Sequence, residues 1–339
     1  MNELDLTRRF REEVPPPDPV QTARARAQVL AGAVPTGRSR RPQRARLRLV
    51  AIGVAALGLA VAVASGVVVR GPRVVLATAA ADELRRVAGV AAARPDPGRL
   101  TPGRYWYVRS TGAVMATVGD QPSYSYLLEG TRELWVAADG SGRLRETTAG
   151  RPRFLTARDR ANWVASGSPA LESGTTDERF RPGGLSPGAT VGDGSYESLL
   201  ALPTDPDKLF EHFHQQAAGH ARGTEVEMFV LVSDALRETP APLQLQAALY
   251  EVAARIKGVN LVRRATDPAG RPGAVVWMVD REGMRHELYF DPATATPLGE
   301  REVVERAGAM GGLPKGTVVG YSSTLAAGVV GSVTARLTR

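Results

Sequence analysis

Hydrophobic positions along this chain follow three different patterns, and each predicts a different kind of structure. From Leu49 to Val69 there are 21 consecutive uncharged residues, in which Ser65 is the only polar side chain. At about 1.5 Å per helical residue this stretch is roughly 31 Å long, close to the hydrocarbon thickness of a bilayer. A soluble helix normally keeps a polar face, and this one has none. The pattern predicts a transmembrane helix over 49–69. A cleaved signal peptide, with ATAAAD (Ala77–Asp82) as its cleavage site, is the competing reading. The stretch is too long and starts too far along the chain for one, so the expectation is an uncleaved signal-anchor.

After this stretch the apolar residues recur at helical and strand periods. TAAADELRRVAGVAAA (Thr78–Ala93) reads as a helix ended by RPDPG. RYWYVRS, YSYLLEG and TRELWVAADG are rich in aromatic and β-branched residues and read as strands; GRLRETT and PRFLTA read as two short ones. LPTDPDKLFEHFHQQA begins a helix with Thr204 or Asp205 as cap and Pro206 in its first turn. TEVEMFVLVSDALRE follows as a second helix. In PLQLQAALYEVAARIKG, Leu245, Leu249, Val252, Ala253 and Ile256 form one apolar face, with Gly258 as the stop. The remainder (NLVRRATD, GAVVWMVD, MRHELYFD, LGEREVVE, GTVVGYSST and VVGSVTARL) reads as strands joined by turns too short for crossover helices, so they should run antiparallel. The expected fold class is α+β: a curved antiparallel sheet, in one version a half-barrel, with packed helices. Between these parts, 17 of the 29 residues from 166 to 194 are Gly, Ser, Pro or Thr. That composition predicts a mobile loop.

Charge divides the chain at the same place as hydropathy. Residues 1–48 hold eleven Arg, no Lys and five acids, which is +6 of the whole chain's +8. The other 291 residues carry 32 basic and 30 acidic groups. The positive-inside rule then puts 1–48 in the cytoplasm and 70–339 outside the cell membrane. The basic arm carries two short amphipathic patterns. Leu6, Phe10 and Val14 share a face before the PPPDP break, and Val29 and Leu30 end a second candidate helix. Leu6, Phe10, Val29 and Leu30 are therefore candidate docking residues for a cytoplasmic partner; the alternative is an arm held to anionic lipid by its arginines. No folded reader or aromatic platform accompanies the arm, which argues against nucleic acid. Within the span, Gly58, Ala62 and Gly66 are spaced four apart and could form the close face of a homodimer.

Candidate chemistry is sparse. The chain has no Cys, hence no disulfide, thiol nucleophile or Cys zinc site. His212 and His214 point about 200° apart on a helix and cannot chelate one ion together, and His220 follows a helix-ending Gly219. His286 alternates with Met284, Leu288 and Phe290 and shares their side of a strand. DPD (Asp205–Asp207) suits helix capping better than metal binding. In GGLPKGT (Gly311–Thr317) Lys315 is followed by Gly, so the phosphate-loop spacing fails. No catalytic, cofactor or metal site is expected. The remaining candidate is an apolar pocket lined by Trp106, Tyr107, Trp135 and Trp277, which would suit a lipid or lipoprotein ligand.

The order of arginine-rich tail, span, LPTDPDKLFEHF, QAALYEVAARIKGVNLV, DPAGRPGAVV and ELYFDPATATPLGE resembles a family of actinobacterial single-pass membrane proteins designated by a locus-derived label. The resemblance covers nearly the whole chain. It implies association with extracytoplasmic-function sigma factors and brings no catalytic residues. A weaker, architectural similarity links RYWYVRS and ELWVAADGSGRLRE to the lipoprotein-carrier fold. Two functions follow as expectations: a membrane-anchored, non-enzymatic envelope sensor or regulator, and a tethered lipid- or lipoprotein-binding carrier.

Overall fold

The computed structural model describes residues 49–50, 77–94, 99–119, 122–148, 152–171, 173–189 and 191–337. The docking residues of the arm, the small-residue row at Gly58, Ala62 and Gly66, and all of the span beyond Val50 lie outside them; the two described residues of the expected helix over 49–69, Leu49 and Val50, are instead a strand paired with Val118 and Thr117. Among the described residues no helix is long and apolar enough to cross a membrane.

The fold is α+β, built on an open antiparallel sheet. Its strands are β1 (Leu49–Val50), β2 (Tyr105–Val118), β3 (Tyr124–Val136), β4 (Gly142–Thr148), β5 (Arg153–Phe154), β6 (Gly174–Phe180), β7 (Asn260–Thr266), β8 (Pro272–Val279), β9 (Met284–Asp291), β10 (Thr296–Val304) and β11 (Val318–Val330). The path across the sheet is β6-β4-β3-β2-β11-β10-β9-β8-β7; β1 pairs with the end of β2, and β5 with β3. The final strand therefore returns to the middle of the sheet and joins its two halves. Two glycines allow close backbone approach: a Cβ would lie 1.9 Å from Trp135 O at Gly142, and 2.0 Å from Ser322 O at Gly299.

Four main helices are α1 (Ala77–Ala92), α4 (Pro206–Ala217), α5 (Thr224–Glu238) and α6 (Leu243–Arg255); α2 (Ala157–Ala165) and α3 (Tyr196–Leu200) are shorter. The cap of α4 is as the sequence predicts: the Asp205 carboxylate accepts from the N–H groups of Asp207 and Lys208, with Pro206 in the first turn. Leu84 and Val87 of α1, Leu209 and Phe213 of α4, Phe229 and Val232 of α5 and Leu249 and Tyr250 of α6 form one core with Leu261, Val276, Leu288 and Phe290 of the sheet. Here the helices cover one sheet face. The far half of the β2–β3 hairpin extends past β11. One side of it packs Ala113, Met115 and Leu127 against Met284, Val304 and Val319; the other packs Tyr124 and Tyr126 against Phe154 and Trp163.

Three sequence expectations need correction. The Gly/Ser/Pro/Thr-rich stretch 166–194 contains β6, which pairs with β4 from Gly142↔Phe180 to Thr148↔Gly174. Most of β6 is exposed on both faces, so it carries no apolar alternation. PRFLTA is only a two-residue strand, followed by α2, whose cap Thr156 accepts from Asp159 N–H. GTVVGYSST and the VV of VVGSVTARL are one strand, β11, with register shifts where it passes from β10 to β2.

Candidate functional site

Strand alternation puts Trp106 on the helix-covered face and its neighbour Tyr107 on the opposite one. Trp106 packs at the rim of the main core. Tyr107 and Trp135 pack together with ring centroids 5.0 Å apart and planes tilted by 39° beneath the carboxy-terminal segment, where Val333, Ala335 and Leu337 cover them. Trp135 Nε1 donates to Ala335 O at 2.6 Å. Trp277 lies four strands away from β2, under the Arg285 guanidinium. The four aromatics therefore do not line one pocket.

The carboxy-terminal segment is pinned by charge as well as by apolar contact. Arg336 donates to both oxygens of Glu133, at 2.5 and 2.8 Å, and Tyr107 Oη donates to Glu133 at 2.8 Å. Arg336 and Tyr107 outweigh burial and hold the Glu133 carboxyl below its ordinary range. Burial, with Glu133 beside it, pushes the Tyr107 phenol up to about 12.

Histidines and charges sort differently. His214 is exposed, and His212 is half-buried with no hydrogen-bond partner for Nε2. His220 lies beyond α4 and meets Glu227 at 3.1 Å. His286 faces the helices, as its alternation with Met284, Leu288 and Phe290 predicts, but its surroundings are ionic. Nε2 lies 3.0 Å from Asp280. Nδ1 lies 2.9 Å from Glu302, an ion-pair distance whose angle is outside that of a hydrogen bond.

This histidine belongs to a buried ionic layer between α5 and the sheet, which the sequence reading did not identify. Arg237, 7 % exposed, sends Nη1 to Glu238 at 2.9 Å and Nη2 to both Glu300 at 2.7 Å and Asp234 at 3.3 Å. Arg222 reaches Glu227 at 3.2 Å. Glu302 is fully buried, and among the described residues neither of its carboxylate oxygens has a hydrogen-bond partner. Phe229, Val230, Ser233, Asp234, His286, Glu287 and Glu300 surround a cavity in this layer.

Desolvation dominates the acids. Burial raises Asp234 to about 7 and Glu300 to about 8, because it disfavours the carboxylate more than Arg237 favours it. Glu302 is raised for the same reason, against the pull of His286. Burial also opposes charge on His286, but Asp280 and Glu302 outweigh it and bring the imidazole up to about 9. Glu238 stays low because Arg237 and Arg132 overcome its burial. Chemically the layer can store and release protons. Glu302 itself is 0 % exposed. Among the described residues no three acidic or histidine side chains are grouped to hold a metal ion.

Comparison with known proteins adds no further constraint: no protein-family model, curated relative or solved structure matches the chain.

Proposed function

We propose that this protein is a membrane-anchored, non-enzymatic regulator. The stretch read as a span over 49–69 crosses the cell membrane, which requires Leu49 and Val50 to leave their pairing with Val118 and Thr117 of β2. The arm 1–48 binds a cytoplasmic regulator such as a sigma factor, and the body from residue 70 lies outside and responds to an envelope component. The observation that carries this reading is the division of charge: +6 on 48 residues, then 21 uncharged residues, then a nearly neutral body. The sequence resemblance to single-pass membrane proteins associated with sigma factors points the same way.

A tethered lipid or lipoprotein carrier is the second reading. A carrier of this architecture, an unclosed half-barrel around helices, needs a lined apolar cavity, and small-molecule pockets typically enclose about 300–1,000 Å³. Here Phe213, Phe229 and Tyr250, all 2 % exposed or less, pack into the core on the helix-facing side of the sheet. The separation of Trp106 from Tyr107, Trp135 and Trp277 also favours the regulator.

Full-length protein purified in detergent from its native cells should bring a sigma factor with it, and Leu6→Asp with Phe10→Asp should abolish that association. If no transcription regulator is recovered, or if recovery survives the double substitution, the regulator reading fails. A stoichiometric lipid in the organic extract, unaffected by the arm, would favour the carrier.

A further inference from the structure

The ionic layer under α5 is unbalanced in a way its geometry makes plain. Six carboxylates face it: Asp234, Glu238 and Glu227 from α5, Glu300 and Glu302 from β10, and Asp280 from the β8–β9 turn. Three arginines oppose them: Arg237 of α5, Arg222 ahead of it, and Arg132 of β3, whose charge reaches Glu238. His286 of β9 adds a fourth positive charge when protonated. His220, against Glu227 at the solvent edge, is a fifth basic group. Acids outnumber bases even when every base is charged.

Position makes the imbalance matter. Asp234 and Glu300 both converge on Nη2 of one guanidinium, and both are under 8 % exposed. Two carboxylates on one nitrogen, away from water, cannot both stay ionised without a large repulsion. Glu302 is also fully buried, 2.9 Å from the His286 imidazole. A carboxyl proton relieves this, and Asp234, Glu300 and His286 all border one small cavity.

We infer that this layer is a proton-controlled latch: α5 is held on the sheet by protons shared among Asp234, Glu300 and Glu302, and loosens when they leave. The groups that lose protons sit on both partners, α5 and β10, so deprotonation makes the two elements repel each other. The latch belongs to the folded body and does not depend on how the amino-terminal arm is placed relative to a membrane.

The sign follows from linkage. Asp234 and Glu300 bind protons more tightly folded than unfolded. Their contribution is complete below the ordinary carboxylate range and is lost as pH rises through about 7 and about 8. His286 acts in the same sense, its contribution being lost as pH rises through about 9. Each proton held this way lowers the folding equilibrium constant about tenfold per pH unit across that range.

The test is urea unfolding of the full-length protein in detergent from pH 5.5 to 8.5, with hydrogen exchange on α5. Folding stability should fall with pH, and α5 amides should exchange faster at pH 8.5. Glu300→Gln, which keeps the shape without the charge, should flatten the slope by about one proton. Asp234→Asn should do the same and serves if the first variant does not fold. In the wild type, the infrared band of a protonated carboxyl should persist at pH 7 and vanish by pH 9. A wild-type stability that does not change across this range, a slope left intact by either folded variant, or no protonated-carboxyl band at pH 7 would each overturn the latch.

Discussion

Replacing Arg237 with methionine should lower folding stability by about 3–5 kcal/mol at pH 8 and by distinctly less at pH 5. The side chain that is lost is the shared partner of Asp234, Glu238 and Glu300. Without it Asp234 and Glu300 remain buried with their shared counter-ion gone, while the partly exposed Glu238 keeps Arg132. At acid pH they can take up protons and become tolerable; at alkaline pH they cannot. Methionine fills much of the same volume, so a cavity contributes little and the loss reads out charge. Urea denaturation at the two pH values measures the difference. An equal loss at both would mean that Arg237 acts by packing and not as counter-ion.

Tyr250→Ala should destabilise by about 3–5 kcal/mol at any pH, since it empties the centre of the main core. The ring is fully buried and meets Phe290 edge-on at 5.9 Å. Its hydroxyl donates to Ala295 O at 3.1 Å, tying α6 to the β9–β10 turn. Ala295 has a positive φ of 54°, so the turn carries strain that this bond helps to hold. Tyr250→Phe keeps the ring and loses only the bond, which costs about 0.5–1.5 kcal/mol. Thermal unfolding of the two variants separates the terms. A phenylalanine variant as unstable as the alanine one would place the tyrosine's contribution in its hydroxyl.

These two residues also show what could be read in the sequence. Tyr250 sits in a helix whose apolar period is plain, although the helix ends at Arg255, with Ile256 already extended and ahead of the expected stop at Gly258. His286 could be placed on its strand face from Met284, Leu288 and Phe290. The ionic layer could not. In LGEREVVE, Glu300 and Glu302 alternate like the solvent face of an ordinary strand, and only the position of α5 turns that face inward. Asp234 and Arg237 stand three apart in α5, the usual spacing of a surface ion pair. The one available sign was the unbroken apolar run Met228–Val232, longer than one helical turn, which implies burial on more than one side. Strand β6 was missed for the opposite reason: most of its residues are exposed, so no apolar alternation marks it. The Thr156–Asp159 cap of α2 was legible, but nine residues with no buried side chain gave no helical stripe to go with it.

The proposed regulator requires residues 49–69 to separate a cytoplasmic arm from an external body, and the absence of cysteine makes this directly measurable. Single cysteines introduced as Ser39→Cys in the arm and Thr175→Cys on exposed β6 can be probed in intact cells with a membrane-impermeant maleimide. The account predicts that Thr175→Cys labels in intact cells and that Ser39→Cys labels only after the membrane is opened. Labelling of Ser39→Cys in intact cells, or protection of Thr175→Cys until permeabilisation, would contradict it.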